Sequence, residues 1–180
     1  MKNVLPLSLT ALCLALFAKG AVALATDVEK PIEIEADFAE LDDQAGRTTY
    51  TGNVVVVQGT MRMTGDKLIA NFDEDQQLVD VYLSGKPAYF KQTPDGDKPE
   101  IEGEGLQIEY NQKKSLLYLI EKASLKQGER LFEGYRINYD TKSSIITGRG
   151  NNATGAASKN GPASRERVKV IIPPKRKTSE

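Results

Sequence analysis

From Pro31 onward the chain alternates between apolar and polar residues in short runs. Ile32-Glu33-Ile34-Glu35, Met61-Arg62-Met63, Leu106-Gln107-Ile108-Glu109-Tyr110 and Tyr135-Arg136-Ile137-Asn138-Tyr139 each set their apolar members two residues apart. That is the period at which side chains share one face of a β-strand. Val54 to Val57 is a continuous β-branched run and reads as a strand covered on both faces or at a tight junction. Turn formers punctuate the runs at Asp43-Gln44-Ala45-Gly46, Asp73-Glu74-Asp75, Pro94-Asp95-Gly96-Asp97, Asn111-Gln112-Lys113-Lys114 and Asp140-Thr141-Lys142-Ser143. Strands at roughly ten-residue intervals, with no amphipathic helix between them, predict an all-β chain.

The pattern also repeats. Ile34-Glu35-Ala36-Asp37, Met63-Thr64-Gly65-Asp66, Ile101-Glu102-Gly103-Glu104 and Phe132-Glu133-Gly134-Tyr135 share an apolar, a polar and a small residue, at spacings of 29, 38 and 31 residues. The long interval holds the loop signal Gln92 to Pro99. A second column sits between these segments: Thr51 to Gln58 matches Ile120 to Gln127, each followed by Gly, and Ser84 to Phe90 is a looser copy. One such unit has no partner for its apolar face, whereas stacked units bury a shared interior. Gly65, Gly103 and Gly134 are expected where the chain bends at a corner or approaches a neighbouring strand closely.

The ends differ from this body. Lys2, an apolar stretch from Val4 to Phe17 and Ala23-Leu24-Ala25 have the layout of a cleaved secretory signal over residues 1–25. The apolar run falls short of the ~20 residues that span a bilayer. Residues 26–174 are the expected domain. Residues 151–164, rich in Asn, Gly, Ala and Ser, read as a flexible loop, Arg167 to Ile172 as a last strand stopped by Pro173-Pro174, and residues 175–180 as a disordered basic tail.

Composition narrows the chemistry. The chain has no histidine, and its one cysteine, Cys13, lies in the signal. This removes His-based triads and the usual His or thiolate zinc sites. No cofactor or metal is expected. Residues 151–180 carry seven basic and two acidic residues, while residues 26–150 are net −8; an acidic body repels nucleic acid. Asp37, Glu40, Asp42 and Asp43 form the densest acidic group. A strand and turn of solvated carboxylates explains them better than a catalytic pair, which needs a cleft, so no enzyme is expected.

Alternation places Ile32, Ile34, Val54, Val56, Met61, Met63, Ala88, Phe90, Ile101, Ala123, Leu125 and Phe132 in the interior. Such an interior suits a dry core and an acyl-chain groove equally, and periodicity does not choose between them. Ile32 and Ile34 at one end, and Val168, Val170 and Ile172 at the other, lie on the strands expected at the open edges. These are either ordinary terminal strands or sites of end-to-end pairing. A structural or adhesive β-solenoid without lipid cargo is the alternative to a carrier.

Three stretches then carry a resemblance: Lys30 to Asp37, the Thr-Gly-Asn-Val run continuing from Tyr50 through Gln58-Gly59 to Met63, and Ser84-Gly85-Lys86-Pro87-Ala88-Tyr89-Phe90. Over residues 28 to 174 the chain resembles the OstA-like family of periplasmic lipopolysaccharide transport proteins. The resemblance implies a β-jelly-roll of two facing antiparallel sheets, open at both ends. It implies a periplasmic protein that passes the acyl chains of lipid A through its interior and stacks head to tail. It implies docking to an inner-membrane anchored partner and an outer-membrane partner of the same fold (LptC-like and LptD-like). The family's lipid positions fall on Ile32, Ile34 and Phe90; with the alternating Val54, Val56, Met61, Met63 and Leu125 they make up the expected lipid contacts. Basic positions near the sugar phosphates have no clear counterpart, because Asn71 to Gln77 is acidic here and Phe72 replaces a cation.

Overall fold

The computed structural model describes residues 27–96, 98–151 and 167–174. The expected signal, the loop beyond Asn151 and the basic tail lie outside them. A single 3-10 turn, Asp27–Glu29, precedes ten strands: β1 Ile32–Glu35, β2 Phe38–Asp42, β3 Arg47–Gln58, β4 Met61–Phe72, β5 Leu78–Gln92, β6 Ile101–Asn111, β7 Leu116–Gln127, β8 Arg130–Asp140, β9 Ile145–Arg149 and β10 Lys169–Ile171. From β2 to β9 neighbours in the chain are neighbours in one antiparallel sheet, which runs β1-β3-β4-β5-β6-β7-β8-β10, with β2 also on β3 and β9 also on β8.

The sheet is folded along a line of irregularities. Register shifts fall between Thr51 and Val54 in β3, Thr64 and Lys67 in β4, Ser84 and Ala88 in β5, Glu104 and Gln107 in β6, and Ile120 and Ala123 in β7. Bulges bend a strand and sharpen its twist. Here they stand side by side, so each long strand passes from one layer into another. Layer A contains β1, the second halves of β3, β5 and β7, the first halves of β4, β6 and β8, and β10. Layer B contains β2, the complementary halves and β9. The chain crosses layers at the N-terminal edge as well, at Ala36-Asp37. There the Asp37 N–H donates to the Gly52 carbonyl at 2.9 Å, and Asn53 Nδ2 donates to the Asp37 carboxylate at 2.8 Å. Gly52 has φ +82° and a Cβ there would overlap the Asp37 carboxylate, so only glycine fits.

The bulges also explain the side-chain pattern. In β6, Ile101, Gly103 and Gly105 are buried and so are Ile108 and Tyr110; the parity of the inward face changes across the bulge. The interior is thereby apolar on both layers, with nineteen buried hydrophobic residues among those described. Three sequence expectations change. Val54 and Val56 are buried, but Val55 and Val57 are only half-buried, so of the two readings of this run the doubly covered strand fails, and the run instead starts at a junction, the bulge between Thr51 and Val54. Gly103 is not at a corner, because the β6 bulge falls after Glu104; its missing Cβ instead admits Leu119 Cδ1 of layer B, which lies 2.6 Å from where that Cβ would stand. The last strand shortens to Lys169–Ile171, since it pairs only with Leu131 to Glu133 of β8. Val168 leaves the ladder to sit over Gly134 and Gly148, and Pro173 prevents extension.

Candidate lipid-binding interior

One apolar row runs the whole width of layer A. Ile34 pairs Val56, Val56 pairs Met63, Met63 pairs Phe90, Phe90 pairs Gly103, Gly103 pairs Leu125, Leu125 pairs Phe132, and Phe132 pairs Val170. Directly opposed side chains on one sheet face lie about 5 Å apart, so these residues form a near-continuous hydrocarbon strip from β1 to β10. Val56, Met63, Phe90 and Leu125 are shielded from solvent within it, as are Val54 nearer the fold line and Met61 at the tip of the layer. Ile32 and Ile34 pack against the same cluster but are half-buried.

The β10 end of the strip is uncovered, and the β1 end, at Ile34, is half-covered. Val170 is 46% exposed, and Val168, Ile171 and Ile172 are exposed beside it. At the N-terminal edge of layer B, Leu41 of β2 is 65% exposed although it pairs inward-facing Thr48. Both edges carry unpaired backbone as well, β1 and β2 at one end, β9 and β10 at the other. The expected edge residues Ile32, Ile34, Val168 and Val170 therefore do stand at the ends of the interior. Ile172 lies past the end of β10 and is the most exposed of them, at 72%.

Layer B supplies the residues that reading the sequence missed. Leu68, Leu83, Ile108, Leu119 and Ile137 form one row, and Ala70, Val81, Tyr110, Leu117 and Tyr139 a second. Their alternation is visible in the sequence, but the parity change at each bulge hides that they share an interior with layer A. The Phe90 ring meets the Tyr139 ring across that interior at 6.2 Å between centroids. Burial pushes the Tyr139 phenol up to about 12 and raises Tyr110 as well. Both hydroxyls lie beside Thr141 and Ser144 but lack a hydrogen bond of good geometry. A cavity of about 320 Å³ opens next to them, between Met61 and Gln92 of layer A and Ser115 and Thr141 of layer B. Asp27 and Asp95 line this cavity, whereas the acidic group singled out in the sequence lies elsewhere. Asp37 is tied to Asn53, Glu40 and Asp42 are exposed on β2, and Asp73 is paired with Lys113 at 2.9 Å.

A layered, bulge-folded antiparallel sheet with an apolar interior open at the edges is specific enough to compare with known proteins. A family model described as LptA/(LptD N-terminal domain) LPS transport protein matches residues 33–145, from β1 into β9. The chain belongs to this family. Within it, the chain is 38% identical over 175 residues to the lipopolysaccharide export system protein LptH of Pseudomonas aeruginosa, covering 97% of each. It is 37% identical over 125 residues to the lipopolysaccharide export system protein LptA of Escherichia coli K12, covering 68% of this chain and 66% of that one. The crystal structure of P. aeruginosa LptH, described as the LptA-homologous periplasmic component of a conserved lipopolysaccharide transport device, aligns at a TM-score of 0.72 and 36% identity, over 83% of this chain and all of that chain. The LptA/LptD N-terminal family fold is thus the β-jelly-roll that the sequence resemblance implied, built as one folded sheet. The matched segment holds both layers and the row from Ile34 to Phe132, and ends before β10.

Proposed function

We propose that this protein is a periplasmic carrier in lipopolysaccharide export. In this reading its interior takes the acyl chains of lipid A, and copies stack head to tail between an inner-membrane anchored partner and an outer-membrane partner of the same fold. The observation that carries the reading is the apolar row from Ile34 to Val170, which reaches both edges of layer A, exposed at Val170 and half-covered at Ile34. Two copies joined β10 to β1 continue both the backbone ladder and the apolar strip, as in strand addition. Such a contact is heterologous and builds open stacks. The relatives named as export-system proteins support the cargo, and the description of LptH as a periplasmic component supports the location, as does the signal-like start of the sequence. The transport role needs no catalytic group; it needs an apolar path that tolerates many acyl chains.

The test is photo-crosslinking in cells. A benzophenone side chain replacing Phe90 or Leu125 is expected to give an adduct that blots for lipopolysaccharide. The same group at Lys126, on the outer side of β7, is expected to give none. Adducts from Lys126 but not from the interior would place the lipid on the outer surface and overturn the assignment.

A further inference from the structure

An antiparallel sheet packed on one side leaves its other face to water, and that face is polar as a rule. The outer face of layer A follows the rule. Its row of opposed residues from β4 to β10 is Thr64, Tyr89, Glu104, Ser124, Glu133 and Lys169. The outer face of layer B departs from it. There the row from β4 to β8 is Ile69, Tyr82, Glu109, Tyr118 and Asn138, so two tyrosines flank one carboxylate. Tyr82 is 38% exposed. It stands two strands from Tyr118, hence about 10 Å away. A shallow concavity of about 250 Å³ lies between them, bounded also by Asp80, Glu109, Lys114 and Arg136. That is smaller than a closed ligand pocket and has the form of a surface on which a ligand lies.

The polar groups around this concavity hold one another in place. Arg136 reaches from β8 across β7, its guanidinium 4.3 Å from the centre of the Tyr118 ring. Its Nη2 lies 3.6 Å from Glu109 Oε2 on β6, and its Nε donates to Asn138 Oδ1 at 3.1 Å. Gln107 Nε2 donates to the other Glu109 oxygen at 3.1 Å. On β5 the Asp80 carboxylate accepts from Asn71 Nδ2 at 2.7 Å. The Arg136 and Glu109 side chains are still 33% and 27% exposed, so they are fixed and yet reachable. The Asp80 charge, then desolvation, then the Glu109 charge hold the Tyr82 phenol above its usual range, which places both carboxylates beside that ring. Groups ordered before a ligand arrives lose less freedom when it binds.

We propose that the outer face of layer B is a glycan-binding platform, and that its occupant is a neutral, β-linked N-acetylhexosamine chain such as the cell-wall polymer between the two membranes provides. Tyr82 offers an aromatic face, whose negative charge attracts the C–H bonds on the flat side of a sugar ring. The Arg136 guanidinium, lying on the Tyr118 ring, is the second flat surface. Asp80 and Glu109 accept from neighbouring sugar hydroxyls, and Arg136 donates to an N-acetyl carbonyl. The distance from Tyr82 to Tyr118 is close to one disaccharide of an extended β-linked chain, which then crosses the strands along the row from Ile69 to Asn138. Charge favours this occupant over the sugars of lipopolysaccharide. Their phosphates and acidic residues meet Asp80 and Glu109 on a body of net −8, a repulsion that a neutral glycan does not meet. The platform faces away from the apolar interior, so one copy holds the wall and its lipid at once. The proposal rests on the periplasmic location in the reading above, but glycan binding is measurable without any lipid.

The experiment titrates the exported chain with chitotetraose, a neutral β-linked N-acetylglucosamine oligomer, by calorimetry and by amide shifts in NMR. Shifts are expected on β5 to β8 of layer B. Tyr82→Ala is expected to weaken binding by about tenfold, the loss of one good contact, with circular dichroism unchanged. Tyr82→Phe keeps the ring and is expected to bind like the unsubstituted chain, and Tyr89→Ala, on the outer face of layer A, is expected to have no effect. Co-sedimentation with purified cell-wall sacculi is expected to follow the same order. Absence of binding to both chitotetraose and sacculi, or equal binding by Tyr82→Ala, overturns the platform. Tighter binding of deacylated lipopolysaccharide core oligosaccharide at the same residues makes the occupant the sugar of the cargo and overturns the assignment too. The benzophenone adduct at Phe90 separates this proposal from the carrier reading. Tyr82→Ala is expected to keep that adduct while losing sacculi. If the adduct is absent from the otherwise unsubstituted chain and sacculi still bind through Tyr82, the platform stands and the carrier reading fails.

Discussion

The rings of Phe90 and Tyr139 lie 6.2 Å apart and are tilted by 56°, one projecting from layer A and the other from layer B. A tilted pair at this distance is a favourable aromatic arrangement, and it fixes the separation of the two layers near the middle of the interior. Phe90 is therefore a structural contact as well as a lipid candidate. Phe90→Ala is expected to cost about 3–5 kcal/mol, read as a lowered urea midpoint with an unchanged slope. Phe90→Asp places an unpaired charge in a dry interior and is expected to lose lipid binding and fold together. Ile32→Glu is the cleaner probe of the path. Ile32 is half-buried at an edge, so its variant is expected to keep its strand content while lipid adducts fall.

Tyr139 ties stability to alkaline pH. Its phenol titrates near 10.0 when the chain is unfolded and at about 12 when burial holds it neutral. Below pH 10 both states are neutral and the contribution is complete. Between pH 10 and pH 12 the unfolded chain ionises and the folded one does not, so stability falls as pH rises. Each tenfold difference in ionisation between the two states is worth about 1.4 kcal/mol, so the loss across this window is on the order of 2 kcal/mol. Tyr139→Phe is expected to flatten that part of the curve of melting temperature against pH. Tyr110, raised for the same reason, is expected to leave a residual slope.

Gly65 is a steric requirement of the β4 bulge. A Cβ there would stand 2.7 Å from the Ser84 carbonyl oxygen and 2.8 Å from Leu83 Cδ1. Leu83 has rotamer freedom, but the Ser84 backbone does not move without disturbing the ladder between β4 and β5. Gly65→Ala is expected to destabilise by about 1–3 kcal/mol, as overpacking does. Gly96→Ala, with φ +78° but open space around it, is expected to cost less. Chemical denaturation of the two variants compares crowding with backbone strain.

The short β10 is the expected joint between copies. It pairs only Leu131 to Glu133 and its residues are exposed, so removing it exposes little new core. A chain ending at Arg165 is expected to stay folded by circular dichroism but to lose concentration-dependent growth in light scattering. Growth that persists would move the joint to β9 and β2.

Much of this molecule is legible in its sequence. Period-2 alternation, turn residues and the repeat of small residues suffice for an all-β chain, for the row Ile34, Val56, Met63, Phe90, Leu125 and for the loop after Gln92. These depend on local chemistry: which face a residue takes within one strand, and where a chain turns. Histidine-free composition narrows the chemistry in the same way. The pairing of layer A with layer B is not legible, because it depends on bulges at which the inward parity changes, and a parity change looks in sequence like the end of one strand and the start of another. For that reason the alternation around Ile108 and Tyr139 is visible, but that they share an interior with Met63 and Phe90 is not, and Gly103, expected at a corner or a close approach, is the space into which Leu119 fits. The seating of Asp27 over Gly59, 32 residues away in the chain, is likewise a product of the tertiary fold, since only the pairing of β1 with β3 brings the start of the domain to the turn between β3 and β4.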